Sequence, residues 1–137
     1  MQSNQNHAEV ILALDIGGTF IKSALFSGGK LLRKLPQVPT CSAGTREDIE
    51  KSIRLAVRQA ETFDRAAVSI PGPFDYSAGI FRMKHKFAAV DGCRFRDLSG
   101  GVDAVFLHDA NAFLLGELTF GSARGFSRAG GVTLGTG

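Results

Sequence analysis

The apolar residues of this 137-residue chain fall into short continuous runs separated by breaks rich in glycine, proline and serine. That pattern predicts buried strands more than long helices. Val10–Leu14 is apolar without interruption, as expected of a strand covered on both faces. Phe20–Phe26 reads as a second strand, and Ser27-Gly28-Gly29-Lys30 supplies the turn into a third over Leu31–Leu35. Pro36 and Pro39 are then expected to end the ladder. The opening is a three-stranded meander whose first turn carries Gly17-Gly18-Thr19.

The period changes at Thr45. Thr45 with Asp48 three residues later predicts a capping-box start, and Ile49, Ile53, Ala56, Val57, Ala60 and Phe63 recur on one helical face. Glu47 with Lys51 and Glu50 with Arg54 are i,i+4 pairs for its wet face. Ala66–Ile70 follows as a short buried strand stopped by Pro71-Gly72-Pro73. A strand after an amphipathic helix predicts parallel pairing through a crossover.

Phe74–Asp103 has no strong period. Ser77-Ala78-Gly79 marks a small turn, and Arg82, Lys84, His85, Lys86, Arg94 and Arg96 make the stretch basic. A segment of this length is either a binding loop or a solvated face. Ala104–Leu107 predicts another buried strand. Asp109 begins a helix with Ala110, Phe113, Leu114 and Leu118 on one face and Gly121 to close it. Gly131–Leu134 predicts a last strand. Residues 1–9 are polar and read as a disordered tail.

Composition narrows the class. Hydrophobic content of 44% and charged content of 21% suit one soluble globular domain with a real core. The net charge of +3 is too small to argue for nucleic acid. Cys41 and Cys93 stand apart without CxxC spacing, which gives neither a zinc site nor a disulfide framework. The run at Val10–Leu14 is too short for a signal peptide or a membrane span. A cytoplasmic protein is expected.

The residues that can carry chemistry sit in the turns. Asp15-Ile16-Gly17-Gly18-Thr19-Phe20-Ile21-Lys22 combines backbone amides free of bulky side chains, a hydroxyl, a carboxylate and a lysine, the make-up of a phosphate grip. In this reading Gly17, Gly18 and Thr19 hold phosphate, Lys22 neutralises its charge, and Asp15 holds Mg²⁺ through water. The same residues also suit an ordinary hairpin. Asp109, at the carboxyl end of a strand, is placed to accept a proton in phosphoryl transfer, and Asp is equally a favoured helix N-cap. Gly135-Thr136-Gly137 reads as a second phosphate clamp or a hairpin turn.

The order Asp-x-Gly-Gly-Thr-x-x-x-Lys after the first strand, a strand ending in Pro-Gly-Pro, Asp109-Ala110-Asn111-Ala112 with Glu117, and Leu-Gly-Thr-Gly resembles the ROK family of sugar kinases and related repressors. The resemblance runs from Val10 to Gly137. It implies an α/β, actin-like ATPase (ribonuclease H-like) fold with a mixed sheet and flanking helices. Residues 10–121 would be the N-terminal lobe and 122–137 the start of the second. It also implies ATP and Mg²⁺ as cofactors, a hexose substrate and a homodimer, with any structural Zn²⁺ in the remainder of the family's fold. Asp109 would be the general base on the sugar hydroxyl, with Gly72 and His108 beside it at the sugar. His108 departs from the Asn usual there, and Lys86-Phe87-Ala88-Ala89-Val90 stands where an Asn-Leu-x-x-Trp segment is frequent. The kinase-like strand starting at Val10 argues against a repressor with a DNA-binding helix-turn-helix. A non-catalytic sugar-binding or interaction domain and an actin-like ATPase without a sugar substrate are the other readings.

Overall fold

The computed structural model describes residues 8–134. Five strands form one mixed sheet: β1 (Val10–Ile16), β2 (Phe20–Ser27), β3 (Lys30–Pro39), β4 (Arg65–Ile70) and β7 (Ala104–His108), in the order β3-β2-β1-β4-β7. β1, β2 and β3 are the expected antiparallel meander, while β4 and β7 add in parallel. Helix α1 (Arg46–Arg58) makes the crossover from β3 to β4. A two-stranded hairpin, β5 (Phe74–Asp75) and β6 (Ile80–Phe81), and a short helix α2 (Phe95–Ser99) lie between β4 and β7. Helix α3 (Asp109–Thr119) follows β7 directly.

α1 begins as its sequence dictates. The Thr45 hydroxyl accepts from the Asp48 N–H while the Asp48 carboxylate accepts from the Thr45 N–H at 2.9 Å, a complete capping box. The two ion pairs on its wet face also form. Ile49, Ile53, Ala56 and Val57 are buried against the sheet, each large aliphatic side chain contributing about 1.5–3 kcal/mol on removal from water. The helix ends at Arg58 and the chain turns through Glu61, at φ 61°, so Ala60 reaches the core from the turn and Phe63 lies past the helix.

Four expectations change. β1 is sealed on one face only: Leu12, Leu14 and Ile16 are buried under α1, while Asp15 on the other face is exposed. Pro36 does not end the ladder, which runs on to Pro39, because β3 is the edge strand and its pairing shifts between Ile21–Val38 and Ser23–Leu35. An edge with an irregular register tolerates a residue that cannot donate. Phe74–Asp103 is a packed layer rather than an open loop: Phe81, Phe87 and Phe95 are fully buried, and Phe74 stacks within 5.1–5.2 Å of Phe106 and Phe81. Gly79, at φ 67°, makes the β5–β6 turn, where a Cβ would meet the Phe106 ring at 2.8 Å. Residues 131–134 form no strand; Val132 and Leu134 are exposed and no neighbour offers them a ladder.

Candidate functional site

The three parallel strands bring their carboxyl ends to one edge of the sheet. Pairing of Asp15 with Ser69, of Ser69 with Leu107 and of Ile70 with His108 sets the register. Asp15 and Leu107 are thus two strand spacings apart, about 10 Å. The Gly17-Gly18-Thr19 turn, the Pro71-Gly72-Pro73 turn and the His108–Asp109 step leave the sheet side by side. Strand ends arranged in this way are where open α/β sheets collect ligands.

The hairpin tip is braced from three directions. Gly17 N–H donates to Phe20 O at 3.0 Å, which leaves the Gly18 and Thr19 amides as the ones available to a ligand. Thr40 N–H donates to Thr19 O at 2.9 Å, and the Ser42 hydroxyl donates to Gly18 O at 2.6 Å. Neither Gly17 nor Gly18 adopts a positive φ, so a left-handed backbone does not explain these glycines. Both have close neighbours. A Cβ on Gly17 would meet Phe20 O at 3.2 Å, and one on Gly18 would meet the Lys86 side chain at 3.3 Å.

Asp15 and Lys22 are directly paired across β1 and β2 and stand on the uncovered face of the sheet. They line an open cleft of about 530 Å³ whose floor includes Ala24, Ala67 and Ser69 and whose far wall includes Ala112 of α3. The Ser69 hydroxyl donates to Asp15 Oδ1 at 3.1 Å and fixes the carboxylate. No group of three or more His, Cys, Asp or Glu side chains suited to a metal occurs among the described residues.

At the third strand end, His108 rather than Asp109 occupies the N-cap of α3. Its Nδ1 accepts from Ala110 N–H at 3.2 Å, and Asp109 is the first helical residue. Asp109 Oδ1 accepts the same N–H at 2.8 Å and lies 3.0 Å from His108 Nδ1. Nδ1 thus faces both the Ala110 N–H and the Asp109 carboxylate, which ties the imidazole to the first turn of α3. Gly72 packs beside this pair: its position for a Cβ is 3.7 Å from the His108 ring and 3.4 Å from the Tyr76 hydroxyl. Tyr76 donates to Ile70 O at 3.1 Å, and burial, then the Asp109 charge, push its phenol upward. Gly72 thus lies beside His108, and His108 beside Asp109.

Several residues here escaped the sequence. Ser42, Ser69 and Tyr76 carry no motif of their own; only sheet register and loop packing bring them in. Glu117 does not face this group. It accepts from the Ser122 N–H and hydroxyl at 2.9 and 2.7 Å, which hold its carboxyl below the ordinary range and tie down the turn after α3. Gly135, Thr136 and Gly137 lie outside the described residues.

Comparison with known proteins agrees with this layout. Residues 11–137 match the ROK family. The chain is 32% identical over 134 residues to a glucokinase of Thermotoga maritima, covering 93% of this chain and 42% of that protein. A ROK family glucokinase from Streptomyces griseus, solved with glucose and AMPPNP, superposes with a TM-score of 0.70 at 25% identity, over 85% of this chain and 38% of that one. A ROK family transcriptional regulator, a homologue of the E. coli MLC protein, shares the fold with a TM-score of 0.62 at 17% identity, over 87% and 33% of the two chains. The chain thus spans less than half the length of these relatives. Its mixed sheet with flanking helices is that of the N-terminal lobe in ROK and other actin-like ATPase structures. With the family match running through residues 11–137, from the first strand past the Gly-Gly-Thr hairpin, the Pro-Gly-Pro turn and the His-Asp step, the chain belongs to the ROK family.

Proposed function

We propose that this chain is the N-terminal lobe of an ATP-dependent sugar kinase, with residues 122–137 beginning a second lobe. The observation that carries the reading is the convergence of Asp15, Gly72 and Asp109 on one sheet edge through the parallel register of β1, β4 and β7. Two relatives named as glucokinases, one of them bound to glucose and AMPPNP, support it.

The chemistry follows from these side chains. Asp109 takes the proton of a sugar hydroxyl as that oxygen attacks the terminal phosphate, a step in which catalysis is mostly positioning and charge neutralisation. His108 holds the first turn of α3, and so Asp109, by its contacts with Ala110 and Asp109, and offers its imidazole to a sugar oxygen. Gly72 leaves the room that a side chain would fill. Gly18 and Thr19 donate to phosphate, Lys22 offsets its charge, and Gly135, Thr136 and Gly137 form the second clamp. The residues fit Mg²⁺: Asp15 is one exposed carboxylate fixed by Ser69, and magnesium asks little more of the protein when phosphate and water complete its shell. When bound, the ion neutralises phosphate charge. A cytoplasmic location and a homodimer belong to the same reading. No helix among the described residues is long and apolar enough to cross a membrane.

A coupled ADP-release assay over a panel of hexoses tests it. The 137-residue chain alone is expected to turn over little or nothing, and to gain hexose-dependent turnover when joined to a ROK second lobe. Asp109→Asn should then lower kcat by about 10²–10⁴ while sugar still binds. ATP hydrolysis independent of every sugar would favour the ATPase reading instead, and full activity of Asp109→Asn would remove the base assignment.

A further inference from the structure

Lys86 comes from the basic stretch whose purpose the sequence left open, far from the hairpin in the chain, yet its side chain lies across Gly18. A Cβ built on Gly18 would be 3.3 Å from Lys86 Cδ, 3.5 Å from Cε and 3.4 Å from Nζ. The space beside Gly18 is therefore occupied by a lysine stem with its ammonium at the turn. The placement is built into the fold. Phe87 is fully buried at φ 59°, and its N–H donates to Ser42 O at 2.8 Å. Ser42 in turn donates its hydroxyl to Gly18 O. Phe87, the neighbour of Lys86, and the hairpin tip are thus held by the same residue, one through its backbone carbonyl and one through its side chain. Lys22 stands on the stem of the hairpin, paired in register with Asp15; Lys86 stands at the tip, beside Gly18.

We propose that Lys86 is a second cation of the phosphate site, laid over Gly18 so that its ammonium meets an anionic phosphate group held by the Gly18 and Thr19 amides. The proposal rests on the phosphate reading of the hairpin. Lysine suits the position because its apolar stem packs on the glycine while the charged end stays at the surface. An ammonium added to backbone donors strengthens the hold on a polyphosphate through a charge-assisted hydrogen bond. The ligand class is a phosphoanhydride, such as the terminal phosphates of a nucleoside triphosphate.

Inorganic tripolyphosphate is the probe, titrated into the isotope-labelled protein and followed by NMR at the Gly18 and Thr19 amides and at Lys86 Cε. In the wild type all three signals should move together with one dissociation constant. Lys86→Met, which keeps the stem and removes the charge, should weaken binding about tenfold or more, and Lys86→Arg should recover part of it. If Gly18 and Thr19 move while Lys86 Cε stays still, or Lys86→Met binds as the wild type does, the lysine has no part and the hairpin reading survives. If the wild-type amides do not respond, the phosphate reading of the hairpin fails and Lys86 with it. The Lys86 Cε signal needs no mutation, so the outcome stands even if the Met variant folds poorly.

Discussion

Helices α1 and α3 each follow a strand or turn of the same sheet, at 13 and 11 residues, and are held in opposite ways. α1 has a complete capping box and buries Ile49, Ser52, Ile53, Ala56 and Val57 against the sheet. α3 buries no residue: Phe113 and Leu115 are each 53% exposed. What fixes α3 is its first turn, where His108 caps Ala110 and β7 leads straight into Asp109. The first helix stabilises the domain and the second presents a carboxylate. A helix that buries no residue has lower local stability than one sealed into the core, and it is the one that carries Asp109.

The contrast can be broken at its strongest point with Ile53→Ala. Ile53 is 1% exposed, so urea unfolding should lose about 2–5 kcal/mol; a loss below 1 kcal/mol would mean that α1 is not the main cover of the core. Removing the cap hydroxyl with Thr45→Ala should cost about 1 kcal/mol in the same measurement. An unchanged midpoint would show that burial alone holds α1.

His108→Ala sharpens the other side. Amide exchange in α3 should speed up several-fold while α1 amides keep their protection and the global midpoint hardly moves. Equal loosening of both helices would contradict the view of α3 as locally held. Acid gives a subtler signature. The Thr45 hydroxyl and N–H hold the Asp48 carboxyl below its ordinary value. Because the folded value lies below the unfolded one, this contribution is present above the ordinary carboxylate range and is lost as pH falls through the folded value. The protection factor at the start of α1, which removes the intrinsic pH dependence of exchange, should therefore fall with acidification in the wild type. In Asp48→Asn it should be flat, and a parallel fall there would assign the effect elsewhere. The smallest effect is expected of Leu115→Gln on exposed α3, within about 0.5 kcal/mol; a large loss would reveal packing on α3 that its exposure does not suggest.

The chain's local chemistry was readable without coordinates wherever partners lie within a few residues. Thr45 and Asp48, the Gly28-Gly29 turn, the Gly17-Gly18-Thr19 hairpin and the break at Pro71-Gly72-Pro73 are of this kind. Their dihedrals and hydrogen bonds are settled over short spans, so residue type and spacing suffice. The family pattern added the expectation that Asp15 and Asp109 act together, although they are far apart in the chain.

Tertiary structure decided what depends on neighbours distant in sequence. Edge position allowed β3 to run through Pro36. Aromatic packing between Phe74, Phe81, Phe87, Phe95 and Phe106 organised a stretch with no period, because its contacts cross turns and do not repeat along a helix or strand. Parallel register placed Ser69 on Asp15 and Gly72 beside His108. The Lys86 side chain that lies beside Gly18 also comes from outside its segment. Sequence determined where the turns of the candidate site fall; only the sheet's register and loop packing determined which side chains share them, since those contacts exist only once distant segments are brought together.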